Sequence, residues 1–146
     1  MHADGVRATA FRCYERVETR LAPGLTAIVG PNGAGKTSLI EAVHFGLLAW
    51  SPRTSDEARM VRDGDAVTRV EVQATVQGAP VEVSVGFQPG TPKRIRIDGV
   101  GQRSAEKLGQ LFAVLVFTPD RLAVVKGAPA IRDRAGQDAG PFRCTS

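Results

Sequence analysis

"IVGPNGAGKTSLIEAV", residues 28–43, is the stretch that decides the fold. Apolar residues run into a glycine-rich turn, and a lysine with two hydroxyl residues then opens an amphipathic segment. Gly30, Gly35, Lys36 and Thr37 satisfy G-x-x-x-x-G-K-[ST] without a gap. Glycines let the backbone curl so that successive N–H groups converge on an anion. The helix that follows adds free N–H groups and the positive end of its dipole. In such a loop Lys36 reaches the β- and γ-phosphates, and the Thr37 hydroxyl offers Mg²⁺ the hard oxygen it prefers. Gly30, Pro31, Asn32, Gly33, Ala34, Gly35, Lys36, Thr37 and Ser38 are therefore the expected nucleotide site. ATP and Mg²⁺ are the expected cofactors, with Thr37 as the metal ligand and Ser38 as a first-turn hydroxyl. An ordinary glycine turn capping a helix is the competing reading, and the apolar run before the loop argues against it. His44, on the same helix with no acid in sequence reach, is expected to be a packing residue.

Working outward, residues 6–11 ("VRATAF") and 17–21 ("VETRL") alternate apolar and polar, as half-buried strands do. Residues 25–29 ("LTAIV") are nearly continuously apolar, which predicts a strand covered on both faces. Leu39, Ile40, Val43, Leu47 and Leu48 recur at helical spacing and predict a helix over 36–49, stopped before Pro52. Alternation returns at 69–77, 81–87 and 93–99, with "GAP" as the turn between the first two strands. Three such strands predict an antiparallel sheet with one wet face. A short helix at 104–110 and a buried strand at 111–117 are expected next. From Gly136 onward the pattern dissolves, and a disordered tail is expected.

The chain has 146 residues, enough for one core without staples. No apolar run approaches the roughly 20 residues that span a bilayer, and the N-terminus has no export-signal design. A cytoplasmic protein with no membrane partner is expected. Cys13 and Cys144 have no metal-ligand spacing and fit two unpaired thiols. Fifteen arginines and four lysines give a net charge of +4, compatible with nucleic-acid contact but scattered along the chain.

A P-loop ATPase also needs an acid at the end of a second apolar strand to hold Mg²⁺. In "AVLVFTPD" Thr118 and Pro119 intervene before Asp120, and Asp98 ends an alternating strand just before Gly99, as a turn residue does. No catalytic residue is assigned, and these residues leave open whether the chain is an enzyme.

Several separated stretches resemble the N-terminal part of the RecF family of DNA replication and repair proteins. That family is itself similar to the SMC and Rad50 head domains among ABC-type ATPases. The first stretch runs from "VRATAF" through the phosphate loop to "VRDGD", with Arg53, Thr54, Val61, Arg62 and Gly64 at matching places. "KRIRIDG" is similar to a basic strand ending in Asp-Gly, and "VFTPDRLAVVKGAPAIR" to an F-[ST]-P-[ED] segment with a Lys-Gly-x-Pro turn. The resemblance implies an α/β P-loop NTPase, the N-terminal lobe of an ABC-ATPase head with an antiparallel subsheet, over residues 1–132. Residues 133–146 are unmatched, so a truncated family member is expected, without the second half of the ATPase site. The resemblance further implies ATP-dependent homodimers on double-stranded or gapped DNA, acting with RecR and RecO in repair, replication and the SOS response. Arg53, Arg59, Arg62, Arg94 and Arg96 are the basic candidates for DNA contact. A small P-loop kinase acting on a metabolite and a non-functional nucleotide-binding fragment are the alternatives.

Overall fold

The computed structural model describes residues 1–117, and residues Met1–Phe112 form one compact unit. Its strands are β1 (His2–Phe11), β2 (Tyr14–Arg20), β3 (Thr68–Val76), β4 (Ala79–Phe87), β5 (Arg94–Ile97) and β6 (Val100–Gln102). Helix α1 spans Lys36–Leu48 and α2 spans Glu106–Leu111, with a 3₁₀ turn at Glu57–Met60. The six strands make one sheet in the order β2-β1-β3-β4-β5-β6, antiparallel at every step.

Alternation along each strand sorts side chains onto two faces. One face carries the rows Val6–Val72–Val83–Ile97 and Ala8–Val70–Val85–Ile95, all buried. The other carries Arg7–Glu71–Ser84–Arg96 and Thr9–Arg69–Gly86–Arg94. The antiparallel sheet with one wet face expected from residues 69–99 is therefore present, and β1 and β2 extend it.

Two expectations change in detail, and the turn expected at Asp98 is found. The turn between β3 and β4 is Gln77-Gly78, both at positive φ as a type I′ hairpin requires, so Ala79 and Pro80 already belong to β4. Asp98 and Gly99 make a second such turn, into the short β6. Asp98 is thus a turn residue, and its Oδ1 accepts from the Glu82 N–H at 2.8 Å. No strand forms at 111–117, where α2 runs to Leu111 and Phe112 is buried behind it.

The larger correction concerns residues 25–29, which belong to no strand; Leu25 is 94% and Val29 86% exposed. Their apolar run satisfies the sequence rule for a buried strand, but no described strand lies beside it to complete a ladder. Helix α1 forms where the spacing predicts it, ending one residue early at Leu48. Ala42, Phe45, Gly46 and Leu47 are buried along it, whereas Ile40 is 49% exposed and Leu39, Val43 and Leu48 are half-buried. Small residues are needed on the inner side because the helix sits directly on β3. A Cβ at Gly46 would come within 2.3 Å of Val72 Cγ2.

Candidate functional site

The phosphate loop crosses the surface between the end of β2 and the first turn of α1. Gly33 and Gly35 hold φ of +83° and +88°, in the left-handed region that side chains resist. Gly35 is the N-cap of α1 and, having no side chain, leaves the first helical N–H groups without a side-chain cap. No acidic residue lies in the first turn, so the positive end of the helix is not neutralised locally. The Lys36 ammonium folds back over the loop and donates to the carbonyls of Gly30 at 2.8 Å and Pro31 at 2.7 Å. Ala34 N–H closes the turn onto the Pro31 carbonyl at 3.3 Å. Pro31, Asn32, Gly33, Ala34 and Thr37 are exposed, while Lys36 and Ser38 are partly covered. Residues 30–38 thus form one open curl leading into the first turn of α1.

Behind the loop lies the two-residue turn between β1 and β2. A Cβ on Gly35 would sit 2.5 Å from the Tyr14 hydroxyl and 2.9 Å from Cys13 Sγ, so only glycine fits this approach. The Tyr14 hydroxyl donates to the Ala34 carbonyl at 3.5 Å. Burial, and then the neighbouring Cys13, push the Tyr14 pKa up, so it stays a neutral donor at neutral pH. Cys13 is a free thiol; Cys144 lies outside the described residues.

The helix is anchored by a residue that no local sequence pattern marks. Glu41, fully buried one and a half turns into α1, accepts from Arg12 Nε at 2.9 Å and Arg12 Nη2 at 2.6 Å. It also accepts from Ser51 Oγ at 2.5 Å and Arg53 Nη1 at 2.9 Å. Arg12 reaches onward to the Arg59 carbonyl at 2.9 Å. Burial alone would raise the Glu41 pKa; donors from Arg12 and Ser51, with the charges of Arg12 and Arg53, outweigh it and hold the carboxyl below its usual range. The carboxylate therefore ties the P-loop helix to the β1–β2 turn and to the segment after α1. Residues 12, 41, 51 and 53 are too far apart in sequence for any local pattern to announce them.

His44 is buried, as expected of a packing residue. Its ring stands edge-on to Trp50, and Nδ1 donates to the Trp50 carbonyl at 3.0 Å. Burial lowers its pKa, opposed by that bond and by the Glu41 charge.

The five basic candidates do not stay together. Arg53 is committed to Glu41, Arg59 pairs with Asp56 at 3.8 Å, and Arg62 with Asp65 at 3.2 Å. Arg94 and Arg96 project from β5 on the open sheet face and make no ion pair among the described residues. Asp120 lies outside the described residues. Among those described, no group of three or more His, Cys, Asp or Glu converges as a metal cluster. No described helix is long and apolar enough to cross a membrane.

Residues 6–113 match the family model described as an AAA domain. The DNA replication and repair protein RecF of Acidothermus cellulolyticus is 37% identical over 132 residues, covering 90% of this chain and 36% of that protein. Its namesake from Streptomyces avermitilis is 42% identical over 137 residues, covering 92% and 36%. The chain thus spans 36% of the length of these curated relatives. Among solved structures, the recombination mediator protein RecF with ATP, in the RecFOR pathway, superimposes with a TM-score of 0.78 at 20% identity, covering 94% of this chain and 38% of that one. A chain from work on ATP-driven dimerization and DNA stimulated activation of SMC ATPases gives 0.78 at 18% identity, covering 94% and 99%. The expected P-loop ATPase head fold of the RecF and SMC type is therefore the fold observed.

Proposed function

The chain belongs to the AAA domain family, and on that premise we propose that it supplies the ATP-phosphate-binding portion of a RecF-type DNA repair protein. The observation that carries the proposal is the loop at 30–38, with left-handed Gly33 and Gly35, an uncapped α1 N-terminus and the Lys36 ammonium over its mouth. The loop N–H groups and the first turn of α1 hold the phosphates by charge-assisted hydrogen bonds. Lys36 exchanges its two carbonyl partners for phosphate oxygens. Thr37, exposed in the first turn, fits Mg²⁺, which takes few protein ligands and completes its octahedron with phosphate and water. Bound there, Mg²⁺ would neutralise charge across the phosphates. Glu41 fixes the angle at which α1 presents these groups.

DNA binding, partnership with RecR and RecO, ATP-dependent homodimerisation, a cytoplasmic location and a place in replication and the SOS response are part of the same proposal. They rest on similarity to RecF over 90% of this chain. The metabolite-kinase alternative is not favoured, since the curated relatives carry the RecF name and cover the antiparallel strands as well as the loop.

Equilibrium titration with a fluorescent ATP analogue and Mg²⁺ tests the reading. Replacing Lys36 by Ala removes charge-assisted bonds and is expected to weaken binding about ten- to a hundredfold. Equal affinity in both chains, or none in either, would contradict it.

A further inference from the structure

The outer face of the sheet is not uniformly charged. On the β1–β2 side, acids and bases cancel: Arg7 binds Glu18 at 2.9 Å and Glu71 at 3.3 Å, and Arg69 binds Glu71 at 2.7 Å. A hollow of about 390 Å³ on that side is lined by Glu18, Glu71 and Glu82 together with Arg7 and Arg20. Across β4 the balance changes. Ser84 and Gly86 stand opposite Arg96 and Arg94, so no acid faces either arginine across the β4–β5 ladder. Gly86, with no side chain, leaves space between Arg69 and Arg94 in the same row. A second hollow of about 270 Å³ lies here, lined by Arg69, Arg94, Arg96 and Ser84 together with Val67 and Phe87, and by no carboxylate.

We propose that this face of β3–β5 is a DNA-backbone contact surface, with Arg94 and Arg96 as its phosphate ligands and Arg69 at its margin. The proposal rests on the DNA-binding part of the function above and specifies where that contact is made. Three features support it. Arg94 and Arg96 alternate with buried Ile95 and Ile97, so the ladder fixes both guanidinium groups on one side at a spacing of about 6.6 Å along the strand. Neither has an ion pair to break among the described residues, whereas Arg53, Arg59 and Arg62 each do. Guanidinium also presents a planar fork of donors suited to phosphate oxygens. With three arginines and no carboxylate in its lining, the hollow carries the charge that complements a polyanion.

The test is fluorescence anisotropy of the full chain with a short labelled duplex, over a series of salt concentrations. The Arg94→Ala/Arg96→Ala double variant is expected to lose about tenfold in affinity at low salt, and its log-affinity against log-salt slope is expected to shrink by about two. The Arg94→Lys/Arg96→Lys variant keeps the charges and is expected to retain the slope. Arg16→Ala, removing a surface arginine that pairs with Glu18 at 3.8 Å on the β1–β2 side, is expected to bind as the parent does. Unchanged affinity and slope in the Ala double variant, with the parent binding DNA, would overturn this surface and leave the DNA-binding reading intact. No DNA binding by the parent chain would overturn both. ATP-analogue binding is expected to be the same in all four chains, since none of these residues lies at the phosphate loop.

Discussion

Strand β3 and the segment between β2 and α1 carry similar apolar residues and meet opposite fates. Val70 and Val72 are flanked by β1 and β4, and Val72 lies directly beneath Gly46 of α1, so both are fully buried. Leu25 and Val29 are no less apolar, yet they lie in the open with no ladder to another described strand. Strand-forming composition becomes strand structure only where neighbouring strands supply hydrogen bonds and a packed face. The phosphate loop sits at the junction of the two regimes. Its upstream arm is unpaired, and its downstream arm, α1, is clamped by Glu41 and by the sheet.

Breaking the packed side should have the largest effect. Phe45 is fully buried against Phe11, with ring centroids 5.9 Å apart. Phe45→Ala is expected to cost about 3–5 kcal/mol in urea unfolding. A loss as small as that of a surface substitution would contradict the assignment of the inner face of α1. Removing the clamp comes next. Glu41→Ala leaves Arg12 without its buried partner and is expected to cost about 3 kcal/mol, the lower end for a broken buried pair, because Arg53 is 41% exposed and regains water. Glu41→Gln keeps an acceptor oxygen and is expected to lose less.

Acid should act on the same side of the comparison in two steps. The folded His44 pKa lies below its ordinary value, so the unfolded chain takes up the proton first. Stability present above about pH 6.5 is therefore lost as pH falls through that value. The folded Glu41 pKa is likewise depressed, so its contribution is kept above the usual carboxylate range and lost at more acid pH. Urea midpoints across a pH series should show both losses, and His44→Leu should remove only the first. The smallest effect belongs to the open arm. Leu25→Ala and Val29→Ala are expected to change stability by no more than about 0.5 kcal/mol. A loss of several kcal/mol would show that the arm is packed in solution.

The same contrast explains what was legible in the sequence. The loop at 30–38 was, because its chemistry demands particular residues at fixed spacing. The hairpins of β3, β4 and β5 were, because alternation is a local signal and the partner strands lie close in sequence. The fate of 25–29 was not, because an apolar run states only that a partner is required. The spacing of apolar residues located α1 but not which of them meet the sheet: Leu47 is buried while Ile40 is half exposed, and the close approach of Val72 requires glycine at position 46. The Glu41 clamp joins four residues that only the tertiary fold brings together. Strand β6, three residues long, carried too little pattern to read.

The central claim is that residues 30–38 form the phosphate cradle through their backbone N–H groups. Amide hydrogen exchange of the full chain, with and without ATP and Mg²⁺, reads it directly. Amides in β1, β3 and β4 should be protected in both conditions. Those at 30–38 should exchange quickly alone and slow on addition of ATP, and Lys36→Ala should blunt that slowing. Unchanged exchange at 30–38 at ATP concentrations that saturate binding would contradict the account.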